Sequence, residues 1–302
     1  KEHVDLDIFV SGSQGQIHLP FKIDYKKYGL SFVTGGKGGV SYFKTAKSLK
    51  LIKLFRDIKK CNVRDYDLII NDFEPITAWA AKIKGVKTIA LSHQAAFLSR
   101  ETPRPEKRNK TQEFILRHYA PTKDYMGFHF ESYDKNIRTP IIPQDIRSLK
   151  VENHDEICVY LPSYRIDLLS HHFNKIPSFK WHIFSPFIKE QSEQDNVVIN
   201  PVSRDGWIKA FQKASGCLIG AGFEGPSEAL LHGKKLMVIP MKNQYEQICN
   251  AAALKELGVN VQFGIDSMFY QELNNWLIHD KAVQLDFPDH SHEVIQDALN
   301  CA

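Results

Sequence analysis

No stretch of about 18 consecutive apolar residues occurs in the 302-residue chain, so the pattern of a membrane-spanning helix is absent. The N-terminus lacks the charged, apolar and small-residue layout of a secretory leader, and the chain reads as intracellular and cytoplasmic. Its five cysteines, Cys61, Cys158, Cys217, Cys249 and Cys301, form no CxxC pair and show no metal-ligand spacing. That pattern excludes a disulfide framework and fits reduced thiols used as small apolar side chains. Excess charge of either sign is lacking too: 39 basic against 35 acidic residues leave a net charge of +4. A dedicated nucleic-acid binder concentrates far more positive charge, whereas anionic small molecules and a lipid surface stay compatible with this balance. The glycine cluster Gly35-Gly36-Lys37-Gly38-Gly39 lacks the closing Lys-Ser/Thr of a P-loop and reads as a mobile loop.

What the chain does contain is an alternation of strand-like and helix-like segments, the pattern of parallel sheets covered on both faces, and it occurs twice. In the first half, residues 4–10 alternate like a strand and residues 43–60 repeat at helical spacing. Leu68-Ile69-Ile70 forms a short strand, a helix spans about Pro75 to Lys84 and ends at Gly85, and residues 87–91 give another strand. The polar, proline-broken stretch 100–110 is a loop or an acceptor-side flap. Thr139 to Pro143 and the polar residues up to His154 suggest a crossing near residue 150, dividing the chain into 1–150 and 151–302. Strands are expected at 157–161, 181–184, 197–199, 217–219 and 236–239, and helices at about 165–174, 204–214, 226–232 and 244–257. Because the chain opens on a strand without the usual preceding strand and glycine-rich loop, residues N-terminal to Lys1 are expected.

GAGFEGPSEALLHGKKLMVIP, residues 220–240, joins a glycine turn, a helix and a β-branched strand closed by proline. Gly220, Gly222 and Gly225 lie between strand and helix at the carboxyl edge of a sheet, where ligands collect in open α/β folds. Glycines there permit positive φ and close approach, and a helix starting near Pro226 offers free N–H groups to a phosphate. Glu228, expected in the first turn, either accepts two hydrogen bonds from vicinal hydroxyls such as a ribose's or complements the helix dipole. After Pro240 a second polar group gathers at a strand end: Glu246, Gln247 and Asn250.

The whole run from Gly220 to Val259 resembles the donor-nucleotide signature of the GT-B glycosyltransferases, in particular UDP-glycosyltransferases and the bacterial N-acetylglucosamine transferase of peptidoglycan synthesis. The resemblance implies a GT-B fold, two Rossmann-like α/β domains facing across a cleft, with the nucleotide in the C-terminal one. It implies that Glu228 binds the donor ribose, that Glu246 and Gln247 contact the donor sugar, and that Asn250 stiffens the helix or its contacts. Relatives of the plant type place a phosphate-contacting histidine at the position of Gly220 and a serine at that of Gly225. Phosphate binding would here rest on the backbone N–H groups of Gly222, Phe223, Glu224 and Gly225. Ser163 resembles the family's serine loop facing the diphosphate, with Arg165 adding charge, or else caps a helix. Asn200 to Ser203 resembles the loop that holds the base.

In the first half, Asp72 and His93 end strands whose family counterparts face the acceptor. His93 resembles the histidine of a His-Glu-Gln-Asn stretch in the peptidoglycan enzyme, although Ala95 and Ala96 follow Gln94 here. Asp72 alternatively caps the following helix. The implied chemistry is attack of an acceptor hydroxyl on the anomeric carbon while a diphosphate leaves, stabilised by helix N–H groups without a metal or other cofactor. The pairs Asp5/Asp7 and Asp65/Asp67 imitate a metal-binding DxD but read as solvent-facing strand carboxylates. The acceptor is undefined, lipid-linked or glycan; the basic segment 41–60 either rests on an anionic membrane or is a surface helix with its apolar side in the core. Two other activities fit the same architecture: a UDP-N-acetylglucosamine 2-epimerase and a non-catalytic nucleotide-sugar-binding protein.

Overall fold

The computed structural model describes residues 4–12, 22–27, 34–35, 39–40 and 51–301. Two small pairs open the chain: β1 (Phe9–Ser11) parallel to β2 (Tyr25–Lys27), and β3 (Thr34–Gly35) antiparallel to β4 (Gly39–Val40). The strand expected over 4–10 is confined to Phe9–Ser11, where pairing with β2 begins, and Asp7 ahead of it accepts a 2.6 Å hydrogen bond from the Tyr66 hydroxyl. Asp65 likewise lies in a turn, not a strand. Helix α1 (Leu51–Lys60) packs Leu54 and Ile58 inward and leaves Ile52 and Phe55 exposed; residues 41–50 lie outside the described residues.

A four-stranded parallel sheet follows in the order β5 (Ile69–Asn71), β6 (Thr88–Ser92), β7 (Asp124–Phe128), β8 (Ile137–Arg138). Helix α2 (Pro75–Lys84) starts with proline at its first position and ends at Gly85 in the left-handed region, φ 71°, as its sequence demands. Its cap is Glu74, whose carboxylate accepts from the Ile76 and Thr77 N–H groups at 2.8 and 2.7 Å. Asp72, the expected alternative cap, is therefore free for another role. A 3₁₀ turn (Gln94–Leu98) follows β6, and α3 (Lys110–His118) precedes β7. Helix α3 fully buries none of its residues; Leu116 packs against Phe97, Tyr245 and Cys249, while Phe114 and Ile115 stay exposed. Gly127 in β7 lets the 3₁₀ turn lie directly on the strand, since a Cβ there would overlap the backbone of Ala95 and Ala96.

After the short helix α4 (Gln144–Arg147) comes a seven-stranded sheet in the order β11-β12-β10-β9-β13-β14-β15, parallel except for β11. Its strands are β9 (His154–Tyr160), β10 (Lys180–Ser185), β11 (Ser192–Gln194), β12 (Val197–Pro201), β13 (Ala214–Ile219), β14 (Lys235–Val238) and β15 (Asn260–Val261). Helices α5 (Ile166–Phe173), α6 (Arg204–Lys213), α7 (Glu224–Leu231), α8 (Tyr245–Glu256) and α9 (Phe269–His279) cover it. Alternate residues of each strand enter opposite cores. Cys158, Cys217, Leu236 and Val238 pack with α6, α7 and α8; Ile157, Val159, Leu218 and Met237 pack with α5 and α9. All five cysteines are free thiols. The last helix, α10 (Ser291–Leu299), returns to the first sheet, where Asp297 faces Arg138 at 3.5 Å and His290 Nε2 donates to the Thr139 carbonyl at 3.0 Å.

Lys234, at the entry to β14, is wholly buried. Its ammonium donates to the carbonyls of Glu152 (2.6 Å) and Ala214 and stands 5.6 Å from the Phe211 ring centre. These bonds tie the segment entering β9 and the first residue of β13 to the entry of β14, and burial lowers its pKa. Replacing Lys234 with Met should strand those carbonyls and cost about 2–4 kcal/mol, read as a lower urea midpoint at unchanged slope.

Candidate active site

The strand order of the large sheet reverses between β9 and β13, which opens a crevice at their carboxyl ends. The loop carrying Ser163 leaves β9 there, and Gly220 to Phe223 leave β13 beside it, joined by the Gly220 N–H to the Tyr160 carbonyl at 3.3 Å. None of Gly220, Gly222 and Gly225 has positive φ, contrary to expectation. Their missing side chains matter instead: a Cβ on Gly222 would meet open space, one on Gly220 would meet Gln247 at 3.5 Å, and one on Gly225 would strike Ile219 at 2.9 Å. Gly222 is thereby the point where a ligand can reach the backbone.

Helix α7 begins at Glu224, two residues earlier than expected, because the Phe223 carbonyl accepts from both the Ser227 N–H (3.1 Å) and its hydroxyl (2.7 Å). Pro226 costs nothing in that first turn, whose N–H groups have no intrahelical partner. The exposed carboxylate in the first turn is Glu224, so it and not Glu228 complements the dipole. Glu228 points inward at 9% exposure, and burial lifts its pKa to about 7. Arg204 and a hydrogen bond from Trp207 hold that rise back, while Glu224 adds to it. Arg204 is itself gripped by both oxygens of Asp145 at 2.8 Å.

Across the crevice the first sheet contributes His93, at the end of β6. Its ring stacks on Phe223 with centres 4.1 Å apart and planes 7° apart. Nδ1 lies 3.1 Å from the Phe128 carbonyl, which can only accept, so the proton sits on Nδ1 and Nε2 keeps a lone pair. That Nε2 faces Glu246 Oε1 at 3.5 Å, and Gln94 Nε2 donates to Glu246 Oε2 at 3.3 Å. Burial lowers the pKa of His93, opposed by Glu246, so the ring is a neutral base at neutral pH. Behind it lies His129, fully buried in the Phe128-His129-Phe130 run. Its Nδ1 accepts from the Phe130 N–H at 3.0 Å, and burial, followed by His93, holds its pKa well below the ordinary value. The Nε2 of His129 and the Oδ1 of Asn250 are buried without a hydrogen-bond partner among the described residues. Sequence reading missed His129; its one signal is a polar ring between two phenylalanines in an otherwise apolar stretch.

The other expected site residues fall into two groups. Asn250 is buried and donates to the Ala221 carbonyl at 3.0 Å, pinning the glycine turn to α8. Gln247 accepts from the Met241 N–H at 2.8 Å and lies under Gly220. Asp72, beside a Phe73 held at φ 51°, keeps an exposed side chain, and partial desolvation raises its pKa with help from Glu224 and Glu246. It makes no hydrogen bond with His93. Outside the crevice, Arg165 is neutralised by Asp167 through bonds of 2.9 and 2.6 Å on the exposed surface. Ser203 caps α6 by accepting from Gly206 at 3.2 Å.

Two facing α/β sheets, a glycine turn at the switch point of one and a neutral histidine on the other define the GT-B glycosyltransferase class. The chain belongs to glycosyl transferase family 1, whose sequence profile matches residues 4–279. Comparison with curated protein sequences gives no match. Among solved structures, Acinetobacter baumannii MurG is 14% identical over 91% of this chain and 85% of its own, with a TM-score of 0.53. Arabidopsis thaliana UGT89C1 complexed with UDP-L-rhamnose is 12% identical over 92% and 81%, with a TM-score of 0.51. The glycotransferase of kitacinnamycin gives 12%, 92%, 81% and 0.53. These likenesses show the shared fold.

The raised pKa of Glu228 carries a sign. A carboxyl whose folded pKa, about 7, exceeds its unfolded value of 4.5 loses stability as pH rises between the two and gains nothing above. Glu228→Gln should therefore be more stable than the parent by about 1–3 kcal/mol at pH 8, the difference shrinking toward zero at pH 4. Denaturant melts across that range measure it.

Proposed function

We propose that the protein transfers a sugar from a UDP-type donor, held at the crevice of the seven-stranded sheet, to an acceptor hydroxyl presented at His93. The observation that carries this reading is the buried Glu228 on the helix into which the open Gly222 turn leads. A carboxylate held at the cost of burial is matched by a ligand offering two vicinal hydroxyls, and the N–H groups of Gly222 to Gly225 are matched by a diphosphate. In this scheme residues 1–150 form the acceptor side and 151–302 the donor side. Ser163 borders the diphosphate, and Glu246 and Gln247 border the sugar.

His93 Nε2 takes the proton from the attacking hydroxyl, and Glu246, 3.5 Å away, stabilises the imidazolium that forms. Asp72, with its pKa raised, adds a second carboxyl near the same spot. The diphosphate leaves toward the first turn of α7, a step that needs no metal in this scheme. Because Phe223 covers His93 and Gln94 bridges to Glu246, the two sheets must part or Phe223 must turn for substrates to enter.

Thermal unfolding with UDP, GDP, dTDP and ADP tests the donor site, since a ligand at 100 times its dissociation constant adds about 2.7 kcal/mol. UDP should stabilise selectively, and Glu228→Ala should weaken its binding by about 1–3 kcal/mol; unchanged affinity in that variant overturns the assignment. Acceptor-independent release of an epimerised sugar would instead indicate an epimerase. For catalysis, His93→Gln should lower kcat by roughly 10²–10⁴-fold. The parent's kcat/KM should fall on the acid side at a pH below the ordinary histidine range, and that limb should vanish in the variant.

A further inference from the structure

A concavity of about 250 Å³ lies between the 97–110 segment and α3. Arg100, Arg104, Arg108, Lys110 and Arg117 line it, with Glu113 the single acid in its wall. That acid is already used: Glu113 Oε1 faces Arg104 Nε at 3.4 Å and accepts from the Tyr245 hydroxyl at 2.8 Å. Arg104 spends its remaining donors on carbonyls, chiefly Thr102 at 2.7 Å and Phe97 at 2.8 Å, and so builds the wall. Arg117 reaches the Leu98 carbonyl at 3.4 Å. Arg100, Arg108 and Lys110 are exposed and form no ion pair or hydrogen bond among the described residues. Three uncompensated cations around one hollow repel one another, and a phosphate, with more charge and more oxygens than one carboxylate, can engage several of these donors at once.

The hollow is also placed for use. Phe97 lines it, and the same ring meets His93 edge-on with centres 5.3 Å apart. A group bound there is one phenyl ring from the proposed base. We propose that this cavity is an anion subsite for the acceptor, which carries a phosphate or diphosphate ester. The assignment to an acceptor rests on the reading of His93 given above, whereas the anion site itself does not. The phosphate belongs either to a soluble ester or to a lipid headgroup.

Calorimetric titration with inorganic pyrophosphate, on protein saturated with UDP to block the donor site, tests the proposal against the double variant Arg100→Gln/Arg108→Gln. Pyrophosphate should bind the UDP-loaded parent, and its affinity should drop at least tenfold in the variant and with rising salt. Equal affinity in both proteins, or no binding once UDP is present, overturns it. Matched thermal unfolding of both proteins confirms that the exposed substitutions leave the fold intact. Co-sedimentation with phosphatidic acid vesicles, weaker in the variant, supports the subsite with a lipid source; pyrophosphate binding without co-sedimentation supports it with a soluble one. Should UDP itself fail to bind, pyrophosphate titration of the unliganded pair still decides the anion site, and only the donor reading falls.

Discussion

Everything in the site follows from the reversal of strand order between β9 and β13. In a parallel sheet all carboxyl ends face one way, and neighbouring crossovers that turn to opposite faces leave a gap only where the order reverses. The glycine turn enters that gap, and α7 must start there. Its first N–H groups and the inward Glu228 are consequences of where the helix is forced to begin. Asn250 locks the arrangement by bonding Ala221, so α8 and the turn move together.

The second organising contact is the His93–Phe223 stack, which brings a ring from each sheet to 4.1 Å. Burial of His93 against Phe223 and His129 keeps it neutral, and the Phe128 carbonyl selects its tautomer. Glu246 faces the other ring nitrogen, Nε2, from α8, so in the proposed scheme the base belongs to one sheet and its carboxylate partner to the other. Under that scheme the chemistry is competent only when both sheets are together, which would couple closure of the cleft to readiness for proton transfer.

Much of the fold was legible because its signals are local. Pro75 and Gly85 bracket α2 by fixed backbone preferences, and the β-branched runs at 157–161 and 236–239 mark strands buried on both faces. Helix α3 was hidden, since its apolar residues, Phe114, Ile115 and Leu116, are consecutive and only Leu116 packs on a core cluster. The cap of α2 went to Glu74 and not Asp72 because the Phe73 backbone turns left-handed, a feature no side-chain pattern reports.

By itself the sequence determined the alternating architecture, the position of the glycine turn and the placing of Gln247 and Asn250 on the helix that follows the next strand. Those are matters of period, turn chemistry and order along the chain. Only the tertiary structure decided that Glu228 is buried while Glu224 meets the dipole, that His93 lies on Phe223, and that the cations of the 100–117 region face one hollow. Such facts depend on which faces of distant elements meet. Packing and local dielectric, not residue identity, set a carboxyl's pKa near 7 or leave an imidazole neutral.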